Sequence, residues 1–154
     1  MSTRRYWLFK SEPESYGIDD LQRDTRTCWD GVRNYQARNM LRDDIKPGDG
    51  VLFYHSNAEP PAIAGIATVL RGGYPDHTQF EAGHSKFDPK ATPEAPRWYM
   101  VDIGYERKLP APLSLDLLRT VDALQHMELL RKGSRLSIQP VTEVEWHSIM
   151  TIVD

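Results

Sequence analysis

The 154-residue sequence has one cysteine, Cys28, and no long run of apolar residues. A single thiol cannot form an internal disulfide, so we expect the chain to fold in a reducing compartment, the cytoplasm. The apolar run that follows the basic N-terminus covers only residues 6–9, which is too short for the core of a signal peptide. No other stretch approaches the roughly 18 apolar residues that span a bilayer, so no membrane association is predicted.

Positive charge is also scarce, since the formal net charge is −3 and the isoelectric point is about 5.9. This balance excludes a protein that coats nucleic acid with its whole surface, although it allows a local basic patch around one pocket. The sequence further lacks a Walker loop, a dinucleotide-binding glycine pattern and the Gly-x-Ser-x-Gly elbow of hydrolases. Cys28 and the five histidines show no known metal-ligand spacing, so neither a cofactor nor a metal is predicted.

The residues that are present are typical of one globular domain. Hydrophobic residues make up 40% and charged residues 27%, and the length suits a single domain covering residues 1–154. Strands are predicted where short apolar or alternating runs lie between turn residues. These segments are Tyr6 to Lys10, Gly50 to His55, Ala62 to Leu70, Arg97 to Tyr105 and Arg135 to Gln139, with Pro140 expected to end the last one. The proline-containing stretch 83–96 is interpreted as a long surface loop.

Helices are predicted to be few and short. Asn34 is a suitable N-cap for a helix that runs to about Asp44, and Ser114 and Asp122 are N-cap candidates for two further short helices. A capping-box pattern, Thr142 with Glu145, precedes a last helix with one apolar face. Because helices and strands do not alternate regularly, the pattern favours an α+β domain built on a small, partly closed barrel.

Four stretches interleave aromatic and polar residues where a plain core would be aliphatic: residues 10–13, 29–39, 53–57 and 135–140. In the second, Trp29 offers a flat face for stacking, and Gly31 allows a tight turn or the close approach of a ligand. Arg33 and Arg38 offer planar donors for a phosphate or a base edge. Asn34 marks a helix start, where free N–H groups can meet an acceptor. An interpretation with Trp29 in the core and both arginines solvated stays open.

The third and fourth stretches each allow two interpretations. His55 follows a predicted strand at the rim of the barrel, where ligand contacts are common, but a hydrogen-bonded structural histidine fits the same position. Arg131, Lys132 and Arg135 form the densest basic cluster of the chain. They suit either an edge that contacts phosphate or a solvated helix end that favours the helix dipole.

The four stretches and two further segments resemble the EVE family of the PUA-like superfamily. The resemblance rests on Tyr6 to Pro13, Trp29 to Asn39, Phe53 to Asn57, Tyr74 to Asp76, Trp98 with residues 100–102, and Arg135 to Pro140. These segments occur in the family's order and cover nearly the whole chain. The resemblance implies a PUA-like β-pseudobarrel of about five to six strands surrounded by short helices, with a pocket suited to a modified nucleobase in DNA or RNA.

The resemblance also implies a set of ligand-binding residues. Trp29, Tyr54 and Trp98 are the expected pocket aromatics, and Ser11, Asn34 and Ser56 are the expected readers of the base edge. Lys10, Arg33, Arg38 and Arg135 are expected to meet phosphate or acceptor atoms of the ligand, and His55 and Ser137 complete the candidate set. No catalytic residue is assigned.

The expected function is therefore a binding module, and a monomer is expected. Its ligand would be nucleic acid or a nucleotide with a methylated or hydroxymethylated cytosine or a methylated adenine. One alternative is an enzyme that acts on a nucleotide or modified nucleoside through His55, Lys10, Glu12 and Asp76. A second alternative is an interaction module whose aromatic residues all belong to the core.

Overall fold

Six strands form one sheet in residues 4–153, the part of the chain that the computed structural model describes. They are β1 (Tyr6–Ser11), β2 (Arg26–Cys28), β3 (Gly50–His55), β4 (Ala62–Pro75), β5 (Tyr99–Ser114) and β6 (Ile138–Val141). The order across the sheet is β2-β5-β4-β3-β1-β6, and β1 and β3 run parallel while the other neighbours are antiparallel. This mixed sheet with its short helices confirms the predicted α+β fold and strand number.

The strands β1 and β3 are covered on both faces, which explains their nearly continuous apolar sequences. Trp7 and Phe9 belong to a core cluster on one side of the sheet, whereas Leu8 belongs to a second cluster on the other side. In β3, Phe53 joins the first cluster and Tyr54 joins the second. We call the side of Phe9 and Phe53 the front and the side of Leu8 and Tyr54 the back.

The helix predicted after Asn34 lies on the front. α2 (Tyr35–Asn39) begins there, and the side-chain oxygen of Asn34 accepts a hydrogen bond from the backbone nitrogen of Ala37 at 2.9 Å. This contact confirms the predicted N-cap. The helix continues only as one π-helical turn, Met40–Asp44, so the predicted end is right while the hydrogen-bond pattern changes within it.

Two short elements on the front were not predicted. α1 (Ile18–Asp24) buries Ile18 and Leu21, which lie three positions apart as helix periodicity requires. β2 has only three residues and pairs with β5 at the edge of the sheet. Neither segment is long enough to show a clear periodic pattern, so packing against the rest of the chain selects both conformations.

The back is covered by α3 (Leu115–Arg119), α4 (Glu143–Val153) and the 3₁₀ turns Asp122–Leu124 and Glu128–Leu130. Ser114 caps α3 by accepting from the backbone nitrogen of Leu117 at 3.1 Å, as predicted. Thr142 and Glu145 exchange both hydrogen bonds of the predicted capping box. The prediction of Asp122 as an N-cap is wrong, because Asp122 is itself the first residue of a short 3₁₀ turn.

The last strand begins later than predicted and includes Pro140. Residues 135–137 precede β6, and Pro140 pairs with Trp7 of β1. Because β6 is an edge strand, a proline nitrogen without a hydrogen costs no ladder bond when it faces away from the sheet. The expectation that Pro140 ends the strand is therefore wrong.

The strands β4 and β5 extend beyond the predicted segments and carry most of the sheet's irregularity. Their register shifts repeatedly, for example between Ile63 and Gly65, and such bulges bend and twist a sheet. After β4 comes the 3₁₀ turn His77–Phe80, and the loop 83–96 is mostly exposed, as predicted. Among residues 4–153, no helix has the length and apolar character that crossing a bilayer requires.

Candidate ligand-binding cavity

A cavity of about 560 Å³ opens on the front, where segments from distant parts of the sequence converge. β1 contributes its last residues, Lys10 and Ser11, and β2 contributes Thr27 and Cys28. The loop of residues 29–33 continues the wall, and Ser137 completes it just before β6. The strand ends thus set the position of the cavity.

The structure brings together only part of the predicted ligand-binding set. Lys10, Ser11, Trp29, Arg33 and Ser137 line the cavity. The wall does not include Asn34, Arg38, Tyr54, His55, Ser56, Trp98 or Arg135. It does include residues that were not predicted, namely Glu12, Ser15, Tyr16, Thr27, Cys28, Asp30, Gly31 and Val32. The cavity wall therefore combines parts of the predicted segments with residues outside the predicted ligand-binding set.

Trp29 is the half-buried aromatic residue that forms one wall. Its backbone nitrogen donates to the carbonyl of Val101 at 2.7 Å, which attaches the loop to β5. Its ring packs against Phe9 at 5.3 Å and lies nearly perpendicular to Phe53 at 5.5 Å and Tyr16 at 6.5 Å. Core residues therefore fix the orientation of the ring while part of it remains open to the cavity.

The loop after Trp29 is held by Asp76, whose side chain is fully buried. Gly31 adopts φ +79°, a conformation that side-chain-bearing residues rarely adopt, and its nitrogen donates to the Asp76 carboxylate at 2.7 Å. Burial alone would raise the pKa of Asp76, but hydrogen bonds from Thr78, Gly31 and Arg33 bring it below its usual value. Asp76 is therefore ionised at neutral pH and fixes the loop from inside.

Arg33 lines the cavity, but its guanidinium is occupied by the protein. It donates to Asp76 at 3.1 Å, to Thr78 Oγ1 at 3.0 Å and to the carbonyl of Lys86 at 2.6 Å. It also lies over the ring of Trp98 at 5.2 Å. This geometry favours a bracing role for Arg33 over the expected contact with a ligand phosphate.

Lys10 and Ser11 contribute polar groups at the end of β1. Burial lowers the pKa of Lys10, and the charge of Glu128 partly offsets this effect. The Ser11 hydroxyl donates to the carbonyl of Tyr16 at 2.6 Å, which fixes the turn below the cavity. Burial, together with the hydrogen bond to Asp24, raises the pKa of Tyr16 to about 12, so its hydroxyl is protonated at neutral pH.

Cys28 and Asp30 form a titratable pair at the cavity edge. The Cys28 thiol lies 4.0 Å from the Asp30 carboxylate, and Nε2 of His77 lies 4.0 Å from the same carboxylate oxygen. Burial, followed by the charge of Asp30, raises the pKa of the Cys28 thiol. Burial, followed by the charge of Asp76, raises the pKa of Asp30. This edge of the cavity is therefore rich in acidic groups.

Trp98 lies beside the cavity and is not part of its wall. It is 6% exposed, its ring stacks on Tyr35 at 4.8 Å, and its Nε1 donates to Asp88 at 2.7 Å. It borders a separate cavity of about 240 Å³ together with Arg33. Arg38 also braces the segment around Trp98, because it donates to the carbonyl of Arg97 at 2.6 Å.

The third predicted stretch is mainly structural. Tyr54 is 4% exposed on the back, because strand alternation directs it away from the cavity. Nε2 of His55 accepts from the backbone nitrogen of Ile18 at 3.1 Å, and burial lowers the pKa of His55. The Ser56 backbone nitrogen donates to the carbonyl of Ser11 at 2.9 Å. The structure thus supports the interpretation of His55 as a structural histidine.

Asn34 and Arg135 also lie outside the cavity wall. The side-chain oxygen of Asn34 is occupied as a helix cap, so it does not reach towards a ligand. Arg135 is exposed and lies two residues before Ser137 in the sequence, but it is not part of the wall. Of these two, Arg135 has the placement that suits a contact with the backbone of a bound polymer.

The groups of the enzymatic alternative do not converge on one point. Lys10 and Glu12 line the cavity, but Asp76 is fully buried. The His55 ring nitrogen Nε2 is also unavailable, because it accepts a hydrogen bond from the backbone of Ile18 in α1. General acid–base chemistry requires groups within hydrogen-bond reach of one reacting atom.

The cavity residues that were not predicted differ in the signal that could have found them. Asp30, Gly31 and Val32 lie inside the stretch that the sequence singled out, so the motif contained them. Thr27 and Cys28 belong to β2, which has no recognisable pattern of its own. Their position becomes evident only when β2 pairs with β5.

The fold and the cavity define a small α+β domain whose mixed sheet carries an aromatic-walled pocket beyond its strand ends. The EVE domain model matches residues 5–152, so the chain belongs to the EVE domain family. This confirms the resemblance found in the sequence. Thymocyte nuclear protein 1 of Rattus norvegicus is 42% identical over 166 residues, which cover 96% of this chain and 73% of the relative. The same protein of Homo sapiens is 40% identical with the same coverage.

Solved structures agree with this assignment. A Pseudomonas putida protein superposes with a TM-score of 0.92 at 43% identity, covering 97% of this chain and 99% of that one. Human THYN1, solved in complex with 5-methylcytosine-containing DNA, superposes with a TM-score of 0.89 at 40% identity, covering 97% and 98%. An ASCH protein from Zymomonas mobilis shares the fold with a TM-score of 0.55 at 9% identity.

Proposed function

We propose that this protein binds DNA that contains 5-methylcytosine and holds the modified base in the cavity beside Trp29. The observation that carries this proposal is the solved complex of its 40%-identical human relative with DNA of that kind, combined with a cavity in this chain that suits one base. A volume of about 560 Å³ lies within the usual range for small-molecule sites, roughly 300–1,000 Å³.

The aromatic wall explains how a base would be held. A base inside a duplex is inaccessible, so it would have to be extruded from the stack before it enters the cavity. Stacking on an aromatic side chain is worth about 1–3 kcal/mol per base, and Trp29 presents a ring already fixed by Phe9 and Phe53. Because this ring needs little reordering, most of the stacking free energy contributes to affinity.

The polar wall explains how cytosine would be distinguished. The edge of cytosine combines an N4 amino donor with acceptor atoms. Glu12, which directly follows β1, offers a carboxylate acceptor, and Lys10 at the end of β1 also lines the wall. Val32 and Trp29 supply apolar surface for a methyl group. One buried methyl adds about 0.8 kcal/mol, so we expect roughly a fourfold preference for the methylated base from this contact alone.

Phosphate contacts would be few. The net charge of −3 argues against a wholly basic surface, and Arg33 is occupied internally. Arg135 and its exposed neighbour Lys132 lie close in sequence to Ser137 and suit the phosphates that flank an extruded base. The resulting affinity should therefore show only a modest dependence on salt.

Fluorescence polarisation with matched labelled oligonucleotides tests this proposal. The set contains cytosine, 5-methylcytosine, 5-hydroxymethylcytosine, adenine and N6-methyladenine, each as DNA and as RNA of the same sequence. We expect 5-methylcytosine DNA to bind most tightly. Equal binding to all members would contradict recognition of a modified base, and a preference for methylated adenine or for RNA would replace the proposed ligand.

We further propose a monomer located in the cytoplasm. The single thiol supports a reducing compartment. Sedimentation of the purified protein and the position of a fluorescent fusion in cells would test the two statements separately.

A further inference from the structure

We propose that Cys28, Asp30 and His77 form a Zn²⁺ site at the edge of the cavity. The thiol sulfur, a carboxylate oxygen and an imidazole nitrogen of these residues all lie within 4.8 Å of one another. The Asp30 oxygen lies 4.0 Å from Cys28 Sγ and 4.0 Å from His77 Nε2. Neither the fold nor the base-binding proposal requires these three groups to meet.

The chemistry of the three ligands selects zinc. Zn²⁺ accepts sulfur, nitrogen and oxygen ligands at roughly 2.0–2.3 Å in a tetrahedral arrangement, so neighbouring ligand atoms lie roughly 3.4–3.6 Å apart. The two separations of 4.0 Å require each pair to approach by about half an ångström. The side chains of Asp30 and His77 are 41% and 52% exposed, so they have room to make this adjustment. Mg²⁺ and Ca²⁺ prefer all-oxygen sites and fit this set poorly.

The backbone positions of two ligands are set by one anchor. The buried carboxylate of Asp76 accepts from the nitrogen of Gly31 at 2.7 Å and from the nitrogen of Thr78 at 2.8 Å. Gly31 follows Asp30 and Thr78 follows His77, so the same carboxylate holds both ligand-bearing segments together. One buried carboxylate therefore fixes the backbones beside Asp30 and His77 relative to each other.

The local charge also favours a cation. Within residues 4–153, no lysine or arginine forms an ion pair with Asp30, and the Glu81 carboxylate lies only 3.7 Å from His77 Nε2. A divalent ion would compensate this concentration of acidic groups. Because Cys28 and Asp30 belong to the cavity wall, the fourth position would be available to water or to an acceptor atom of a bound ligand.

Titration of the full chain with Co²⁺ and Zn²⁺ tests the site without any nucleic acid, so its outcome is independent of the proposed function. We expect one equivalent of Co²⁺ to produce thiolate-to-cobalt absorption, which Zn²⁺ then displaces. Cys28→Ser should abolish this absorption. His77→Gln and Asp30→Asn should each weaken Zn²⁺ binding, measured by calorimetry, by at least roughly tenfold, the smaller loss seen even for residues outside the coordination shell.

The matched control is His147→Gln. His147 is also an exposed histidine paired with a glutamate four positions away, Glu143, but it lies on α4 at the back. The His147→Gln variant should bind metal with the same affinity as the unmodified chain. Absence of thiolate-to-cobalt absorption would overturn the proposal. Equal Zn²⁺ affinity in the His77→Gln and His147→Gln variants, with folding verified by circular dichroism, would overturn it as well.

Discussion

Trp29 and Trp98 lie in two neighbouring regions of the front that look similar in sequence and differ in their contacts. The ring of Trp29 packs against core aromatics and remains partly open to the cavity. Trp98 stacks on Tyr35, carries Arg33 near its ring and donates its indole N–H to Asp88. An aromatic residue beside polar groups is therefore ambiguous until the partners of those groups are known.

The polar groups of the two regions make the same distinction. Beside Trp98, the side chain of Gln79 donates to two backbone carbonyls and accepts from the nitrogens of Arg97 and Trp98. In the cavity, neither Lys10 nor Glu12 has a side-chain hydrogen bond to any residue between 4 and 153. Hydrogen-bond capacity left free in a half-enclosed space marks the region that can serve a ligand.

The largest expected effect is that of Asp76→Asn, which removes the anchor shared by both regions. The variant leaves Arg33 without its buried partner and places an amide donor among N–H groups. Breaking a buried ion pair costs about 3–5 kcal/mol, so we expect a loss of that size in the free energy of unfolding, measured by urea denaturation. Asp43→Asn, an exposed aspartate paired with Arg42, should leave the urea midpoint unchanged. A similar midpoint in both variants would contradict the anchoring role.

The same anchor predicts a pH dependence. The folded-state pKa of Asp76 lies below the unfolded value of about 3.9, so its stabilisation is present above that pH and is lost as pH falls through the folded-state value. The difference in stability between the unmodified chain and Asp76→Asn should therefore shrink below pH 4. Urea denaturation of both proteins, from neutral pH to below the folded-state pKa of Asp76, measures this difference in stability. A difference that stays constant with pH would show that ionisation of Asp76 does not cause the stabilisation.

The next largest effect distinguishes the region around Trp98, which braces the fold, from the cavity beside Trp29. Trp98→Phe keeps most of the ring but removes the hydrogen bond to Asp88, and bonds to charged groups contribute about 1.5–3 kcal/mol. We expect a loss of stability of about that size, measured by urea denaturation. Affinity of the folded variant for the 5-methylcytosine oligonucleotide should be unchanged, and weaker binding at full folding would place Trp98 in the site.

The converse variant is Trp29→Ala. We expect it to weaken binding of the 5-methylcytosine oligonucleotide by about 1–3 kcal/mol, the usual loss when a stacking surface is removed. Trp29→Phe should retain part of the affinity, because a smaller aromatic face remains. Fluorescence polarisation measures both, with folding verified by circular dichroism. Undiminished binding by folded Trp29→Ala would remove Trp29 from the site.

The smallest effect is expected for Arg135, an exposed residue close in sequence to the cavity wall. Arg135→Ala should weaken binding of methylated and unmethylated oligonucleotides equally. It should also reduce the salt slope, the slope of the logarithm of the binding constant against the logarithm of salt concentration, by about one unit, as loss of one phosphate contact requires. Arg119→Ala, an exposed arginine on α3 at the back, is the matched control and should leave the slope unchanged. A change in selectivity instead of slope would assign Arg135 to the base edge.

The predictable parts of the fold were those with a local physical cause. The apolar run of β3, the cap at Asn34 and the capping box of Thr142 with Glu145 all act within a few residues, and the structure contains each. The three-residue β2 and the passage of β6 through Pro140 depend on partners far away in the chain. A strand edge exists only after the sheet has formed, so no local pattern predicts that a proline is tolerated there.

The candidate site divides in the same way. The sequence by itself determined the family, the α+β class and the segments around Trp29 and Ser137, because motif order and local patterning are properties of the chain. Only the tertiary structure decided that Tyr54 faces the back and that Arg33 is occupied by Asp76. The physical reason is that a side chain is available to a ligand only when no internal partner satisfies it, and the partner of Arg33 lies 43 residues away.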